Sequence, residues 1–425
     1  MNIAFISFEY PPDTAYGGIA TYVRQAVHML RDRGHQVEVF AASPDRTGAG
    51  EEEGVLVHRV AETDRREFPA RIGPIFARRH DTVRFDVLEG PEYFADARTA
   101  VALVPDIPLV VKLHTPSFLL WRISYGQDRW TVIRHTAGAL RRGIRPAGHP
   151  WSGLERGHAL DADEIATPCQ SLGRLVAEKW GLPADRVAHV PYPYTPSAAL
   201  LNVPATTQTG VVTFLGRLEI RKGVLDYARA IPLILRRNPK ARFRFVGRSV
   251  PYKNAIEMRD HLEGLLHPYR LSVEFTGPVG LDGIPAMLAE TDICVFPSLW
   301  ENFPNVCLEA MSSARGIVGS RAGGMEEMLD GGRFGRLVSP HRPWEIARAV
   351  TGLLDAPEKR MAIGAAARAR VLEHYHADRI GALQEASYAR AIMRRQAQGP
   401  RQHAYDRSAE AALLYSVIRP SRKQT

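Results

Sequence analysis

The amino-acid sequence predicts an α/β chain with two doubly wound, parallel-sheet domains in tandem. Three observations predict it. Short apolar runs of strand length recur through both halves, and each leads through a loop into a segment with helical apolar spacing. Pro191, Pro193, Pro196 and Pro204 punctuate a linker between the two series. The length of 425 residues suits two or three ordinary domains, and 45% hydrophobic with 24% charged residues is the composition of a folded, soluble chain with a sizeable core.

In the first series, residues 3–8 read as a strand, and Pro11, Pro12, Gly17 and Gly18 mark a loop. Ile19, Val23, Val27 and Leu30 then recur at helical spacing until Gly34 stops the helix, and residues 37–40 resume as a strand. Further strands are expected at 55–60, 85–88 and 109–114, which makes residues 1–195 a Rossmann-like domain with one open parallel sheet. Residues 116–151 differ in character, being rich in Arg and carrying Trp121, Trp130 and Trp151. A helix with Trp130, Ile133, Ala137 and Leu140 on one side and Arg134, Arg141 and Arg142 elsewhere fits an anionic membrane surface or an acceptor groove, and equally a solvated basic face. A strand at 164–166, a helix at 171–180 and a strand at 187–190 complete the domain.

The second series spans residues 205–376, with strands expected at 212–215, 243–246, 273–275, 293–296 and 317–319. Beyond Leu337 the pattern turns helical and rich in Ala and Arg as far as Arg395. Residues 396–425 read as a peripheral tail with one short helix at 409–418.

The formal net charge of +9 favours an anionic ligand or surface: sugar nucleotides, phospholipid headgroups, acidic glycans or nucleic acid. No nucleic-acid-binding motif accompanies the charge, so nucleic acid is not an expected partner. Cys169, Cys294 and Cys307 support neither a disulfide framework nor a Cys-based zinc site, which suits a reducing cytoplasm. The opening MNIAFISFEYPP lacks a basic n-region and a cleavage site, and no apolar run reaches spanning length. The expected location is cytoplasmic, with a peripheral contact at the inner membrane face as the further reading of 116–151.

Chemistry-bearing residues concentrate where strands end. In residues 292–328, DICVFPSLWENFPNVCLEAMSSARGIVGSRAGGMEEM, a strand leads through a polar loop into a helix beginning near Asn305. Glu301 falls in the loop and Glu309 in the early turns of the helix, so both carboxylates can face one cleft at the carboxyl end of the strand. Their spacing alone is weak. Asn302, Phe303, Pro304 and Asn305 supply the intervening loop, whose backbone amides suit phosphate while the carboxylates suit sugar hydroxyls. Arg217 stands at the end of strand 212–215 and Lys222 at the following helix start, and two cations beside a helix N-terminus suit a diphosphate. Gly17 and Gly18 lie between the first strand and its helix, where a phosphate or sugar can approach the backbone, although a bare turn needs Gly as well. His114 ends strand 109–114 on the same sheet edge; a donor-sugar contact competes there with an ordinary structural role. Asp161 and Asp163 have the spacing of a metal-binding acidic pair, yet they precede a strand with no second ligand cluster and read as a turn.

Taken together, PPDTAYGGIATYVRQAVHMLRDRGHQVEVF, VVKLHTP, FLGRLEIRKG and PSLWENFPNVCLEAMSSARGIVGSRAGGMEEML resemble the large family of retaining GT-B glycosyltransferases with the E-x7-E signature, which includes bacterial mannosyl- and glucosyltransferases. The resemblance implies two Rossmann-like domains facing a cleft, acceptor-binding at 1–195 and donor-binding at 205–376, with helix 377–395 returning to the first. It implies that Gly17 and Gly18 face the donor phosphate or sugar, that Arg217 and Lys222 hold the diphosphate, that Glu301 contacts donor-sugar hydroxyls and Glu309 the ribose. His114 then lies near the reacting carbon, and Gly277 and Val279 flank the base. Val190-Pro191-Tyr192-Pro193-Tyr194 replaces the Asn-Gly pair common in the family, and Phe303-Pro304-Asn305 replaces a small Gly-containing stretch. The implied partners are a UDP- or GDP-sugar donor and a glycan, lipid-linked or small-molecule acceptor, and no metal is expected because the cations and helix dipole balance the diphosphate. The rival readings are a nucleotide-sugar epimerase or phosphorylase on the same fold, and a non-catalytic sugar-nucleotide- or glycan-binding protein.

Overall fold

The computed structural model describes residues 1–14, 17–125, 151–252 and 256–402. The basic helix expected around Trp130 and the short helix expected at 409–418 lie outside these residues. The chain divides into two compact units, one made of Met1–Ala166, Val176–Ala188 and the segment from Leu383 onward, the other of Thr167–Leu175 and His189–Ala382. Residues 167–175 and 189–195, read from the sequence as part of the first domain, group with the second unit for local reasons. The Gln170 and Ser171 amides donate to Glu327 at 2.7 Å each, and the Tyr194 amide donates to the Tyr375 carbonyl at 3.0 Å.

In the first unit the described strands form one sheet of eight. They are β1 (Asn2–Ser7), β2 (Gln36–Ser43), β3 (Gly48–Glu52), β4 (Val55–Ala61), β5 (Val87–Pro91), β6 (Leu109–Lys112), β7 (Glu164–Thr167) and β8 (Val187–His189), ordered β3-β4-β2-β1-β5-β6-β7-β8. β1 is buried from Ile3 to Ser7, as a central parallel strand covered on both faces must be. Helix Gly18–Asp32 buries Ile19, Tyr22, Val23, Ala26, Val27 and Leu30, the stripe seen in the sequence. Gly34, at φ +87°, ends it: its amide donates to Arg31 and that of His35 to Leu30. One expectation needs correction, because the sheet is not wholly parallel. β3 pairs antiparallel with β4 through a tight turn at Glu53 and Gly54, both with positive φ. β3 escaped the sequence reading because GAGEE carries no apolar alternation.

The second unit holds six parallel strands among the described residues: β9 (Val211–Leu215), β10 (Arg242–Val246), β11 (Val273–Gly277), β12 (Ile293–Phe296), β13 (Gly316–Ser320) and β14 (Arg336–Val338). Their order is β11-β10-β9-β12-β13-β14. β9, β12 and β13 are buried throughout, whereas β11 alternates with exposed residues at the sheet edge. Val212, Phe214, Tyr227, Ile231, Phe243, Phe245, Ile293 and Val318 share one apolar core. The functional consequence lies in the order of strands. Chain direction along the sheet reverses between β9 and β12, so the loops that follow these two strands open side by side at the carboxyl edge, where doubly wound sheets bind ligands.

Candidate active site

In the second unit, the loop after β9 runs through a turn at Ile220–Lys222 into helix Val224–Leu235, and the loop after β12 leads into helix Asn305–Ser312. The two are tied together. The Leu299 amide donates to the Arg221 carbonyl at 2.8 Å. Gly223, in the left-handed region at φ +70°, passes so close to Pro297 that a Cβ built there would overlap the Pro297 carbonyl. On the other flank, the Gly324 amide donates to the Glu301 carbonyl at 2.7 Å.

This bracing brings Lys222 and Glu301 into a direct ion pair, with Lys222 Nζ donating to Glu301 Oε1. Ser298 Oγ donates to the same oxygen at 3.0 Å, and an Arg221 guanidinium nitrogen lies 3.8 Å from it. No described residue donates a hydrogen bond to Oε2. Glu301 is only 7% exposed, and burial by itself raises its pKa; the Lys222 and Arg221 charges more than offset that and hold the carboxyl below its ordinary range. Burial draws the Lys222 ammonium down, with Glu301 opposing. Glu301 is therefore ionised at neutral pH. The sequence reading placed Glu301 and Lys222 on separate duties and missed both Arg221 and Ser298. The available signal was position, since Arg221 precedes Lys222 and Ser298 lies in the loop between β12 and Glu301.

The remaining candidates of this unit occupy distinct settings. The Arg217 side chain is 45% exposed and, among the described residues, pairs with Glu219 at 3.2 Å, so the structure does not bring it onto Glu301. Glu309 is partly buried in helix Asn305–Ser312, and burial alone pushes its carboxyl up to about 7. The Phe303 ring packs edge-on against Tyr192 and Tyr375, at centroid distances of 5.5 and 5.0 Å, which leaves its backbone as the part available to a ligand. Both departures from the family pattern thus meet in one aromatic cluster. Asn302 accepts from Trp300 Nε1 at 2.6 Å, Pro304 lies immediately before the helix, and Asn305 keeps a buried Oδ1 that meets no hydrogen-bond partner among the described residues. Gly277 ends β11 at φ +75°, and Val279 follows in the next loop.

A small cavity is lined by Leu215, Lys222, Phe296, Ser298 and Glu301. A larger one, about 550 Å³, opens at the amino edge of the same sheet beside Thr209, Gly210 and Asp292. Its buried charges are spent internally, Arg360 lying 3.3 Å from Asp292, whose carboxylate also accepts the Thr209 and Gly210 amides. Size therefore does not mark the site; the carboxyl-edge chemistry does.

In the first unit, Gly17 stands as the N-cap of helix Gly18–Asp32 with extended φ of −169°. Among the described residues, a Cβ at Gly17 would meet only ordinary contact with Glu9, and one at Gly18 open space. Among the described residues, neither backbone strain nor crowding accounts for these two glycines. His114 is buried, its amide donating to both Glu92 carboxylate oxygens at 2.9 and 2.8 Å, and its ring meets Tyr22 edge-on at 5.4 Å. Burial, and then the nearby Lys112 and Arg65 charges, hold its pKa well below the usual histidine range, so the imidazole is neutral. Asp163 is structural, as the turn reading expects: it binds Arg395 at 2.7 Å, Arg401 at 2.6 Å and the Leu109 amide at 2.9 Å.

Comparisons with known proteins agree with this geometry. A family model described as "Glycosyl transferases group 1" matches residues 209–356, and one described as "Glycosyl transferase 4-like domain" matches residues 17–193. An uncharacterized glycosyltransferase of Methanocaldococcus jannaschii is 25% identical over 405 residues, covering 89% of this chain and 96% of its own. Among solved structures, sucrose-phosphate synthase from Thermosynechococcus elongatus aligns with TM-score 0.71 at 21% identity, over 92% of this chain and 99% of its own. Anabaena HepE in complex with UDP-glucose aligns with TM-score 0.64 at 17% identity, over 92% of this chain and 100% of its own. No described helix is long and apolar enough to cross a membrane. Neither an epimerase nor a non-catalytic binding protein is favoured by these matches. From two parallel-sheet units and glycosyltransferase models matched along most of its length, this chain is a glycosyltransferase of the GT-B fold.

Proposed function

We propose that the chain moves a hexosyl unit from a UDP- or GDP-sugar to a glycan, lipid-linked or small-molecule acceptor, with retention of anomeric configuration and without a metal ion. The observation that carries this reading is the Glu301 carboxylate, fixed through Oε1 by Lys222 and Ser298 at the carboxyl edge of the second sheet. A charged acceptor oxygen held that firmly suits sugar hydroxyls and positions them rather than attacking. Support for a nucleotide sugar comes from the UDP-glucose bound by the structurally similar HepE.

Cleavage of the sugar-phosphate bond puts positive charge on the anomeric carbon and negative charge on the leaving diphosphate. Arg217, solvent-accessible beside Glu219, and Lys222 neutralise that diphosphate. The acceptor attacks from the face the diphosphate leaves, and a leaving phosphate oxygen takes its proton. Glu309, desolvated and without a cation, accepts ribose hydroxyls, and Gly277 and Val279 flank the base. Gly17 and Gly18 offer an uncrowded helix N-terminus to phosphate or sugar, and His114 offers a neutral imidazole to the sugar. We place the protein in the cytoplasm, with residues 116–151 as a contact for anionic membrane; flotation with anionic vesicles tests that placement.

The reaction is tested by supplying purified protein with UDP- and GDP-sugars and candidate acceptors, with and without chelator. Product whose anomeric proton coupling matches the donor, formed at an unchanged rate in chelator, is the expected result. An inverted product removes retention, and a chelator-sensitive rate removes metal independence.

A further inference from the structure

Glu301 and the donor's diphosphate compete for a single lysine. In the structure Lys222 serves Glu301, whereas the proposed reaction draws it to phosphate. A carboxylate only 7% exposed cannot stay charged at ordinary pH, or keep its orientation, without another cation. Ser298 remains at 3.0 Å but carries no charge. Arg221 supplies one. Its Nη1 lies 3.8 Å from the same Glu301 oxygen, its Nη2 donates to Glu219 at 2.8 Å, and its backbone carbonyl is held by the Leu299 amide at 2.8 Å. The guanidinium is thus anchored at Glu219 and the backbone behind it at Leu299, and the side chain is 16% exposed.

We propose that Arg221 is the positioning residue that keeps Glu301 charged and aimed while Lys222 serves the donor diphosphate. Its purpose rests on the reaction proposed above, but its physical content does not. Among the described residues, the groups facing Glu301 are Lys222 and Arg221 from the turn at Ile220–Lys222, Ser298 from its own loop, and Cys307 from the following helix. Burial keeps the Cys307 thiol protonated, so among these groups Lys222 and Arg221 bring the charge. Lysine and arginine therefore divide the work, the mobile ammonium going to ligand and the fixed guanidinium staying with protein.

The test uses the full chain and needs no donor. Lys222→Gln mimics a lysine diverted to phosphate, and the Glu301 carboxyl is titrated by carbon-13 NMR, its signal identified by its loss in Glu301→Gln. In Lys222→Gln, Glu301 is expected to stay ionised at neutral pH. Adding Arg221→Gln should raise its titration by about one to three pH units, and Arg221→Lys in the same background should restore most of the shift. An unmoved titration in the double variant overturns the proposal. Should the double variant not fold, Arg221→Gln alone is titrated, where a rise of about one unit is expected and none overturns it. In turnover, Arg221→Gln should move the acidic limb of the kcat profile upward while the donor KM changes less than about threefold. A raised KM with an unshifted profile makes Arg221 a donor ligand and contradicts the positioning role. If the wild-type chain binds no nucleotide sugar, the reaction falls, and the NMR titration still decides the fate of Arg221.

Discussion

Glu301 and Glu309 lie on one loop and helix, yet their surroundings drive them apart. Burial raises both carboxyls; Lys222 and Arg221 reverse the effect at Glu301, whereas no cation among the described residues offsets it at Glu309, which reaches about 7 from an ordinary 4.5. The signs give opposite consequences for stability. Glu309, raised on folding, contributes stability that is fully present below about pH 4.5 and is lost as pH rises through about 7. Glu309→Gln should therefore be more stable than wild type at pH 8 by about 1–3 kcal/mol and nearly equal at pH 4.5, read from urea midpoints. Equal stability at both values would contradict the assigned burial. Lys222→Ala leaves Glu301 without its nearest charge and should cost about 2–3 kcal/mol of stability while lowering kcat/KM by about a hundredfold or more. Wild-type turnover in that variant would sink the site assignment. The carboxylates and Lys222 were legible in sequence because each sits at a strand end; their pairing was not. It spans 79 positions and depends on β9 and β12 being neighbours, which no local pattern encodes.

At the scale of elements, two loops are held in register by backbone contacts that tolerate no side chain. Gly223 lies against Pro297, and Gly323, at φ +87°, forms a bridge with Glu301. Gly223→Ala should cost on the order of 2–4 kcal/mol and disable turnover, whereas Gly264→Ala, in an open helical position, should be neutral or slightly stabilising. Thermal unfolding of the two variants checks this, and similar melting points would contradict the packing account. Strand and helix alternation was readable here because parallel strands buried on both faces are continuous apolar runs. β3 and β14 were not, being a polar hairpin arm and a three-residue edge strand.

At the scale of the whole molecule, the last described helix, Ala377–Gln398, completes the first unit's core of charges with its residues from Leu383 onward. Glu89 accepts from Tyr22 at 2.6 Å, Tyr388 at 2.7 Å and Gln384 at 3.0 Å, and buried Glu164 binds Arg390 and Arg394. Deleting residues from 383 onward removes all of these partners but Tyr22, and leaves Glu164 buried without its arginines. Such a chain should lose near-ultraviolet circular dichroism and become protease-sensitive in its N-terminal half; native-like resistance would show the helix to be dispensable. The resemblance assigned that helix a place with the first domain, but the sequence could not show that its arginines serve Glu164 and Asp163. The central claim is that the carboxyl edge of the second sheet, through Lys222 and Glu301, binds a nucleotide sugar. Calorimetric titration of wild type, Lys222→Ala and Glu301→Gln with UDP-, GDP- and ADP-sugars tests it most directly. The account predicts saturable binding of a UDP- or GDP-sugar by the wild type, weakened about tenfold or more in both variants. Binding by none of the sugars, or equal binding by all three proteins, would contradict it.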